Sequence, residues 1–350
     1  MKISLISPAE LDDKERSRWR ALQLSNPALV SPYFCVEFTR AVAQVRSDVR
    51  VAVLEEGANV VGYFPHQGRF GAGQPVGGSL SDHHGVIMGP NQSVSWPQLL
   101  RACGLSWWQF DHLVAAQSPG AEVTPASSPA LDLGGGFLAY RNTRIAAGCR
   151  RIAELDRKAR KLAREVGPLR FEAHVDDRAV FSSVLRRKSE QCLRTRVRDV
   201  FAPSWTRHLV DEIRCSESAS FAGRLSALYA GDALVAAHLG MRSDRAWHWW
   251  FPVYDHDFAK HSPGALLLLH VAQAAAAVDG VEMLDLGKGD DVYKESFANC
   301  SFPLVEGCVQ RPSVLSAARE VEQRTKRWLR TSTTLEALRP LVRALRRANA

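Results

Sequence analysis

Two stretches of the chain repeat the same pattern of apolar runs around a turn. Residues 50–66 read RVAVLEEGANVVGYFPH and residues 224–239 read RLSALYAGDALVAAHL. Apolar runs on either side of a short glycine-containing turn predict a hairpin in each stretch. The hairpins superimpose when Gly57 is aligned with Gly231, an offset of 174 residues, and a helix-like segment precedes each one. The pattern predicts an internal duplication with one unit in each half, the alternative being chance recurrence of a common hairpin.

A stretch of loop composition and a helix are predicted between the hairpins. Residues 117–136 are rich in proline, serine and glycine, which predicts a linker with at most a short strand at 130–133. Apolar residues then recur at helical spacing over residues 145–166, and Gly167-Pro168 predicts the end of that helix. Basic residues cover its outer faces, so it is either a solvated helix or the rim of a site for an anionic donor or acceptor.

The second half alternates helices with strands. Helices are predicted near 176–193, 203–214 and 263–279, and the aromatic strand AWHWWFP at 246–252 precedes the last of them. A strand at 281–286 leads into a Gly-Lys-Gly turn, a short helix and a final strand. This order is typical of a mixed α/β fold. The predicted units are an N-terminal domain, a linking strand with the basic helix, a C-terminal domain and a basic helical tail, at residues 1–136, 137–168, 169–311 and 312–350.

Composition and charge exclude several classes of protein. The 350 residues are 46% hydrophobic and 23% charged, with a formal net charge of +8, which is a globular balance. The positive charge is concentrated in residues 141–200, at +9, and 311–350, at +7, whereas residues 1–140 and 201–310 carry −2 and −6. Basic helical blocks beside mildly acidic bodies argue against a DNA-reading surface and favour local docking of anions.

Cysteine usage and apolar segments indicate the compartment. The seven cysteines are scattered without a CxxC pair, which argues against a disulfide framework or zinc ribbon and for a reducing cytoplasm. No secretory signal is recognised, and the longest apolar stretch, 264–278, is too short to span a bilayer. The tail at 312–350 combines a leucine stripe with arginines. It either packs on the domain or docks on an anionic membrane surface or a synthase partner, which would put a cytoplasmic protein at the inner face of the membrane.

Two segments of the second half carry candidate chemistry. Ser262-Pro263-Gly264 opens a predicted helix, and such an end leaves backbone N–H groups free for phosphate or pyrophosphate, although an ordinary N-cap has the same composition. Residues 281–294 read VEMLDLGKGDDVYK. There a buried-type strand is followed by glycines that let a ligand approach the backbone and by Tyr293, a candidate proton donor.

These segments resemble a known family. HWWFPVYDHDFAKHSPGALLLL and LDLGKGDDVYKESF, together with residues 186–201 and 75–87, resemble the CelD-type cellulose-biosynthesis proteins. These proteins belong to the GNAT-like acetyltransferase superfamily, in the branch with tandem GNAT folds shared with the FemABX peptidyltransferases. The resemblance covers roughly residues 30–310 and implies two tandem GNAT-like domains, which accords with the duplication.

The resemblance also implies an activity. GNAT-like proteins transfer an acyl group, usually from acyl-CoA, to an amine or hydroxyl. Backbone N–H groups at a splayed strand polarise the acyl carbonyl, a helix N-terminus binds the pyrophosphate, and a tyrosine, here Tyr293, protonates the leaving thiolate. The usual Gln/Arg-x-x-Gly-x-Gly/Ala loop is missing from this chain, where residues 261–265 read HSPGA. Acyl-CoA therefore has an alternative in aminoacyl-tRNA, the donor of the FemABX relatives.

We predict three groups of site residues from the pattern and the resemblance. The catalytic group is Tyr293, Asp285 and His248. The donor-binding group is Ser262, Pro263, Gly264, Ala265 and Leu266. The substrate-binding group is Lys188, Gln191, Trp250, Asp82, Lys288, Asp290 and Lys294. Further candidates for the general base are His83, His84 and His238.

The aromatic strand predicts a sugar-binding face, and the histidine pair bears on metal binding. Strand alternation places His248 and Trp250 on one face, where Trp250 is positioned to stack on a sugar ring. The pair His83-His84 has no third ligand at a suitable spacing, so no metal is predicted.

The favoured function is cytoplasmic acyl transfer to a saccharide-linked amine or hydroxyl in polysaccharide or envelope biosynthesis. Aminoacyl-tRNA-dependent transfer and a non-catalytic scaffold of a polysaccharide synthase are the alternatives.

Overall fold

A computed structural model describes residues 1–120, 123–289 and 292–313. The first half contains β1 (Lys2–Ile6), α1 (Asp13–Ser25), α2 (Val36–Val45), β2 (Val49–Glu56), β3 (Asn59–Arg69), β4 (Ala72–Gln74), β5 (Ile87–Met88), α3 (Trp96–Ala102), β6 (Trp107–Val114) and β7 (Val123–Asp132). The link contains α4 (Phe137–Ala146) and α5 (Arg150–Glu165). The second half contains β8 (Leu169–Glu172), α6 (Arg178–Thr195), α7 (Ser204–Cys215), β9 (Ala222–Ala230), β10 (Ala233–Arg242), β11 (Ala246–Tyr254), α8 (Pro263–Ala275), β12 (Met283–Asp285), α9 (Val292–Phe297) and β13 (Cys300–Gln310).

The described strands form one sheet whose order is nearly symmetric about its centre. The order is β1-β2-β3-β4-β6-β13-β7-β12-β11-β10-β9-β8, and β5 pairs with β3 off this path. Counted inward from the two edges, each strand of the first half has a counterpart of the second half at the same position. Only the two central strands are exchanged, since β13 pairs with β6 of the first half and β7 with β12 of the second. The sheet therefore has the duplicated organisation that the two hairpins predict.

The two hairpin turns have the same backbone conformation at their glycines. Gly57 and Gly231 both adopt positive φ, 61° and 55°, a conformation that glycine reaches without steric cost. The hairpin β2–β3 and the hairpin β9–β10 are both antiparallel. The chain limits 1–136 and 169–311 stay predictions, because the sheet continues through both units without a break.

The predicted linker and the predicted helix after it differ from the structure. Half of the supposed linker is β7, a ten-residue strand with β13 on one side and β12 on the other. The strand could not be predicted from local composition, because its pairing partners β12 and β13 are distant in sequence. The helix predicted over 145–166 is α5, which begins at Arg150 because the chain turns at Gly148, where φ is 83°. The predicted linking strand after residue 136 is wrong, since residues 137–146 form the separate helix α4.

Helices cover both faces of the sheet. On one face, α2, α6 and α7 pack on strands from both halves around Phe38, Val184 and Leu209. On the other face, α8 packs its four consecutive leucines, 266–269, against Trp247 and the link helices. None of the described helices is both long and apolar enough to cross a bilayer. Residues 314–350, most of the predicted basic tail, lie outside the described residues.

Candidate functional site

A cleft opens where two neighbouring strands of the second half separate. β11 and β12 pair in parallel from Ala246↔Met283 to His248↔Asp285. β12 ends there, whereas β11 continues to Tyr254. Beyond His248, this edge of β11 faces a cavity of about 470 Å³ instead of another strand. The structure thus contains the splayed strand that the resemblance implies.

A bulge shapes the splayed strand. Leu239 pairs with Phe251 but Met241 pairs with His248, so β11 has one residue more than β10 between these pairs. The backbone N–H of Trp250 within the bulge donates to Nε2 of His238 at 3.2 Å. Burial holds the pKa of His238 well below its usual value, which keeps this ring nitrogen an acceptor.

The bulge also changes which aromatic rings share a face. Trp247 and Trp249 pack with α8, whereas Trp250 and Phe251 pack on the opposite core. The predicted alternation is therefore wrong for Phe251, because an extra residue in a strand shifts the alternation that follows it.

Trp250 lines the cavity but is only 8% exposed. Its ring stacks on Phe251 at 4.5 Å and meets the edge of Tyr33, and its indole N–H donates to the carbonyl of Leu80 at 3.0 Å. These contacts cover most of the indole surface, so the predicted stacking face for a sugar is largely filled by the protein itself.

The N-terminus of α8 lies at the same cavity. Ser262 has φ 54° and makes no side-chain cap, and Pro263 occupies the first turn. Of the predicted donor-binding residues, four line the cavity and Leu266 is buried in the core instead. Lys158 of α5 reaches this end of the helix, with its Nζ 2.9 Å from Ser262 Oγ.

The charged residues of the described lining are mostly cationic. Among the described residues, four that line the cavity are basic and one, Asp82, is acidic. Lys188 and Gln191 come from α6, and Lys188 Nζ donates to Gln191 Oε1 at 3.2 Å. Arg151 comes from α5, and its Nε is buried without a hydrogen-bond partner among the described residues. Prediction from the sequence missed Arg151 and Lys158 as individual residues, although it marked their helix as a candidate rim.

The two lysines after β12 are engaged by the protein in different ways. Lys294 is only 5% exposed and donates to the carbonyls of Gly287 (3.2 Å) and Lys288. Its ammonium therefore holds the backbone of the Gly-Lys-Gly turn. Lys294 also lines the cavity, and its predicted substrate contact stays a prediction. Lys288 Nζ lies 2.7 Å from Asp111 Oδ2 and 3.6 Å from Asp82 Oδ1, so it joins the second half to two acids of the first half.

A buried charged array lies behind the lining. Asp285 Oδ2 is 2.7 Å from His83 Nε2 and 3.1 Å from His248 Nδ1, and Asp285 also accepts hydrogen bonds from Ser128 and the N–H of Gly287. The other ring nitrogen of His248, Nε2, lies 3.3 Å from Asp82 Oδ2. The array thus runs from Asp285 through His248 to Asp82.

The array is electrostatically coupled. Burial lowers the pKa of His248, but the carboxylates of Asp285 and Asp82 outweigh it and raise that pKa to about 9. Burial raises the pKa of Asp82, yet His248 and Lys288 bring it below its usual value. Likewise, despite burial, His83 and His248 hold the pKa of Asp285 well below normal. At neutral pH both carboxylates are ionised and His248 is an imidazolium.

The structure brings most of the predicted site residues together. Tyr293, on α9, lines the cavity with Asp82, Lys288 and the start of α8. His248 and Asp285 are fully buried behind this lining, so Asp82 is the member of the array that reaches the cavity. Asp290 lies outside the described residues.

Comparison with known proteins identifies the fold. Residues 150–295 match the family model of the acetyltransferase (GNAT) domain. No curated protein sequence matches the chain. Among solved structures, FemX superimposes with a TM-score of 0.57 at 11% identity, over 88% of this chain and 96% of that chain. L-PGS from Bacillus licheniformis has a TM-score of 0.50 at 12% identity, over 90% and 97% of the two chains.

The family model and the superposition on FemX confirm the predicted fold class. A tandem GNAT protein from the clavulanic acid biosynthesis pathway is also similar, with a TM-score of 0.48 at 12% identity over 89% of this chain and 100% of that chain. The chain carries a GNAT domain in a mixed α/β fold of tandem GNAT-like units. A GNAT domain implies an acyltransferase, and GNAT domains use acyl-CoA. At these identities the solved structures show the fold alone.

Proposed function

We propose that the protein transfers an acyl group from acyl-CoA to an amine or hydroxyl of a saccharide or envelope precursor in polysaccharide biosynthesis, in the cytoplasm. The observation that carries the proposal is one cavity that joins a splayed strand, a helix N-terminus and a tyrosine. The resemblance of residues 248–269 and 284–297 to the CelD-type proteins supports the saccharide acceptor.

The donor's phosphates are assigned to the start of α8. The free N–H groups and the positive end of the helix dipole favour a phosphate there. Lys158 already contacts Ser262, and Arg151 lines the same cavity with an unpartnered buried Nε. The guanidinium of an arginine at the lining is suited to a phosphate oxygen, because its N–H donors match phosphate geometry.

The reacting groups are assigned along the lining. The acceptor attacks as a neutral hydroxyl or as an amine that has lost its ammonium proton to solvent. Its oxygen or nitrogen forms a bond to the thioester carbonyl carbon as the carbon–sulfur bond breaks, and the proton released from that atom passes to solvent. The hydroxyl of Tyr293 donates a proton to the departing thiolate and is reprotonated from solvent. Asp82 is the acidic residue among the described residues of the lining, and it stays ionised beside His248 and Lys288. A carboxylate there attracts a protonated amine, which favours an amine over a hydroxyl as acceptor.

Calorimetric titration with acetyl-CoA tests the donor assignment. Replacing Arg151 by Ala removes a charge-assisted contact of about 1.5–3 kcal/mol, which corresponds to a Kd raised roughly tenfold to a hundredfold. Arg157→Ala is the matched control, since Arg157 is on the same helix but absent from the cavity lining. Equal Kd values for the two variants, or no binding of acetyl-CoA by the wild type, would count against acyl-CoA as donor.

Aminoacyl-tRNA is a second candidate donor because of the surface beside α8. Helix α5 carries seven basic and three acidic residues, and it packs on α8. A larger polyanion could extend from the cavity along this helix. Tight, salt-dependent binding of tRNA without binding of any CoA ester would favour this donor.

The basic tail at 312–350 is proposed to dock the enzyme on an anionic membrane surface. Its +7 charge over residues 311–350 and its leucine stripe are the support for this. Deleting residues 314–350 should abolish co-sedimentation with phosphatidylglycerol vesicles. Salt-sensitive binding that persists in the truncated protein would exclude the tail as the anchor.

A further inference from the structure

Three potential metal ligands meet on the first half of the sheet, away from the lining of the acyltransfer cavity. His84 Nε2 lies 2.6 Å from Asp111 Oδ1, and His112 Nδ1 lies 3.5 Å from the same oxygen. One ligand atom from each of the three side chains falls within 4.8 Å of the others. His84 belongs to the loop before β5, and the two other residues belong to β6.

A bulge in β6 brings the neighbours Asp111 and His112 to the same side. Leu113 pairs with Val305 but Phe110 pairs with Gly307, so β6 has an extra residue between these pairs. Adjacent residues of a regular strand point to opposite faces, and a bulge removes that alternation locally. Backbone hydrogen bonds hold His84 against the bulge, because its N–H donates to the carbonyl of His112 at 2.9 Å and its carbonyl accepts from Val114.

The second observation is a ring nitrogen that meets Asp111 Oδ1 at ion-pair distance, 3.5 Å, but makes no hydrogen bond. His112 is only 8% exposed, and its buried Nδ1 has no hydrogen-bond partner among the described residues. A buried polar atom without a partner is costly unless something binds it. Ser81 fixes the orientation of the His84 ring, because Ser81 Oγ lies 3.4 Å from its Nδ1. This contact leaves Nε2 of His84 facing the cluster. A hydrogen bond on the distal nitrogen is the usual support of a metal-bound histidine.

We propose that His84, Asp111 and His112 bind a divalent transition-metal ion, zinc above all. Two imidazoles and one carboxylate are a ligand set that zinc accepts, with the fourth position left to water. Magnesium and calcium prefer oxygen ligands, so a site with two histidines should bind them weakly. The sequence offered no third ligand for the His83-His84 pair because the bulge, rather than sequence spacing, supplies it.

Lys288 should compete with a metal ion for Asp111. Its ammonium lies 2.7 Å from Asp111 Oδ2, the oxygen turned away from the shorter histidine contact. A cation at this distance repels a metal ion bound to the same carboxylate and competes with it. Removal of the ammonium should therefore tighten metal binding, whereas removal of a ligand should weaken it.

Calorimetric titration of the chelator-treated full chain with zinc chloride tests the site. We expect one zinc per chain, a Kd raised at least about tenfold in His112→Asn and in Asp111→Asn, and a Kd lowered in Lys288→Met. His208→Asn, which changes an exposed histidine on α7, is the control for adventitious surface binding and should leave the Kd unchanged. Thermal melts of the metal-free variants check that each is folded.

Cobalt provides a second readout that does not depend on affinity alone. Titration with Co²⁺ should give the visible absorption of a four-coordinate site in the wild type, and His112→Asn should lose it. Wild-type zinc affinity in both ligand variants, or a loss of binding in His208→Asn instead, would overturn the assignment. Absence of zinc binding to the folded wild type would overturn it as well.

Discussion

The imidazolium of His248 should make the protein less stable as the solution becomes alkaline. His248 is buried between the carboxylates of Asp285 and Asp82, which raise its pKa from 6.5 to about 9 in the folded protein. A folded-state pKa above the unfolded value contributes stability that is complete below about pH 6.5. That contribution is lost as the pH rises through about 9.

The size of the effect follows from the shift. About 2.5 pH units between the two values correspond to roughly 3 kcal/mol of unfolding free energy, since each unit is worth about 1.4 kcal/mol. Urea denaturation at pH 6.5 and pH 9.5 measures the loss. Other groups also titrate in this range, so the comparison is between the wild type and His248→Gln. The wild type should lose roughly 3 kcal/mol more than the variant.

His66→Gln is the matched control. His66 is as deeply buried, but burial lowers its pKa to about 4, so it stays neutral across the whole interval. This variant should keep the alkaline loss of the wild type. An equal alkaline loss in the wild type and in His248→Gln would refute the reasoning, because the charge on His248 would then not be the source.

Three further predictions concern the cavity. Gly240→Ala should lower the free energy of unfolding by about 1–3 kcal/mol and weaken acetyl-CoA binding. A methyl group at this position overlaps the ring of His238 and the carbonyl of His248 and so displaces the bulge. Thermal melts measure the loss of stability, with Gly89→Ala as the control because a methyl group there meets only the flexible side chain of Gln92. Tyr293→Phe should lower kcat of acetyl transfer at least about tenfold with little change in donor Kd, whereas a parallel loss of binding would argue for a structural role. Lys294→Met should disorder the Gly-Lys-Gly turn, seen as faster hydrogen exchange at Gly287, and unchanged protection there would contradict the two carbonyl contacts.

The sequence predicted features that depend on neighbouring residues. The hairpins are each defined by their own turn, and the glycines at both turns have the positive φ that the pattern requires. Most of the predicted cavity residues come from segments 262–266 and 281–294, which are contiguous in sequence. The start of α8 and the turn after β12 meet because β11 and β12 are neighbours in a parallel pair.

The features that were missed depend on distant partners. β7 has the composition of a linker, and only its pairing with β12 and β13 makes it a central strand. Phe251 lies on the same core as Trp250, against the predicted alternation, because of a bulge that no periodicity reveals. The sequence also does not reveal that the ammonium of Lys294, a residue of the cavity lining, meets two backbone carbonyls of the preceding turn.

The exchange of central strands implies that the site cannot form from the GNAT-matching segment alone. Asp285 lies within residues 150–295, but its partners His83 and Ser128 belong to the first half. Asp82, which reaches the cavity, belongs there too. A fragment that begins at residue 150 would leave the Asp285 carboxylate with His248 and one backbone N–H, and breaking a buried charge pair costs about 3–5 kcal/mol.

The fragment would lose β7 as well, so β12 would become an open edge of the sheet. We therefore expect residues 150–313 to lack a cooperative thermal transition and to bind no acetyl-CoA, whereas residues 1–313 retain both properties. Circular dichroism melts and calorimetry on the two chains measure this difference. A cooperative transition in the shorter chain would show that the second half folds independently and that the strand exchange is dispensable for its stability.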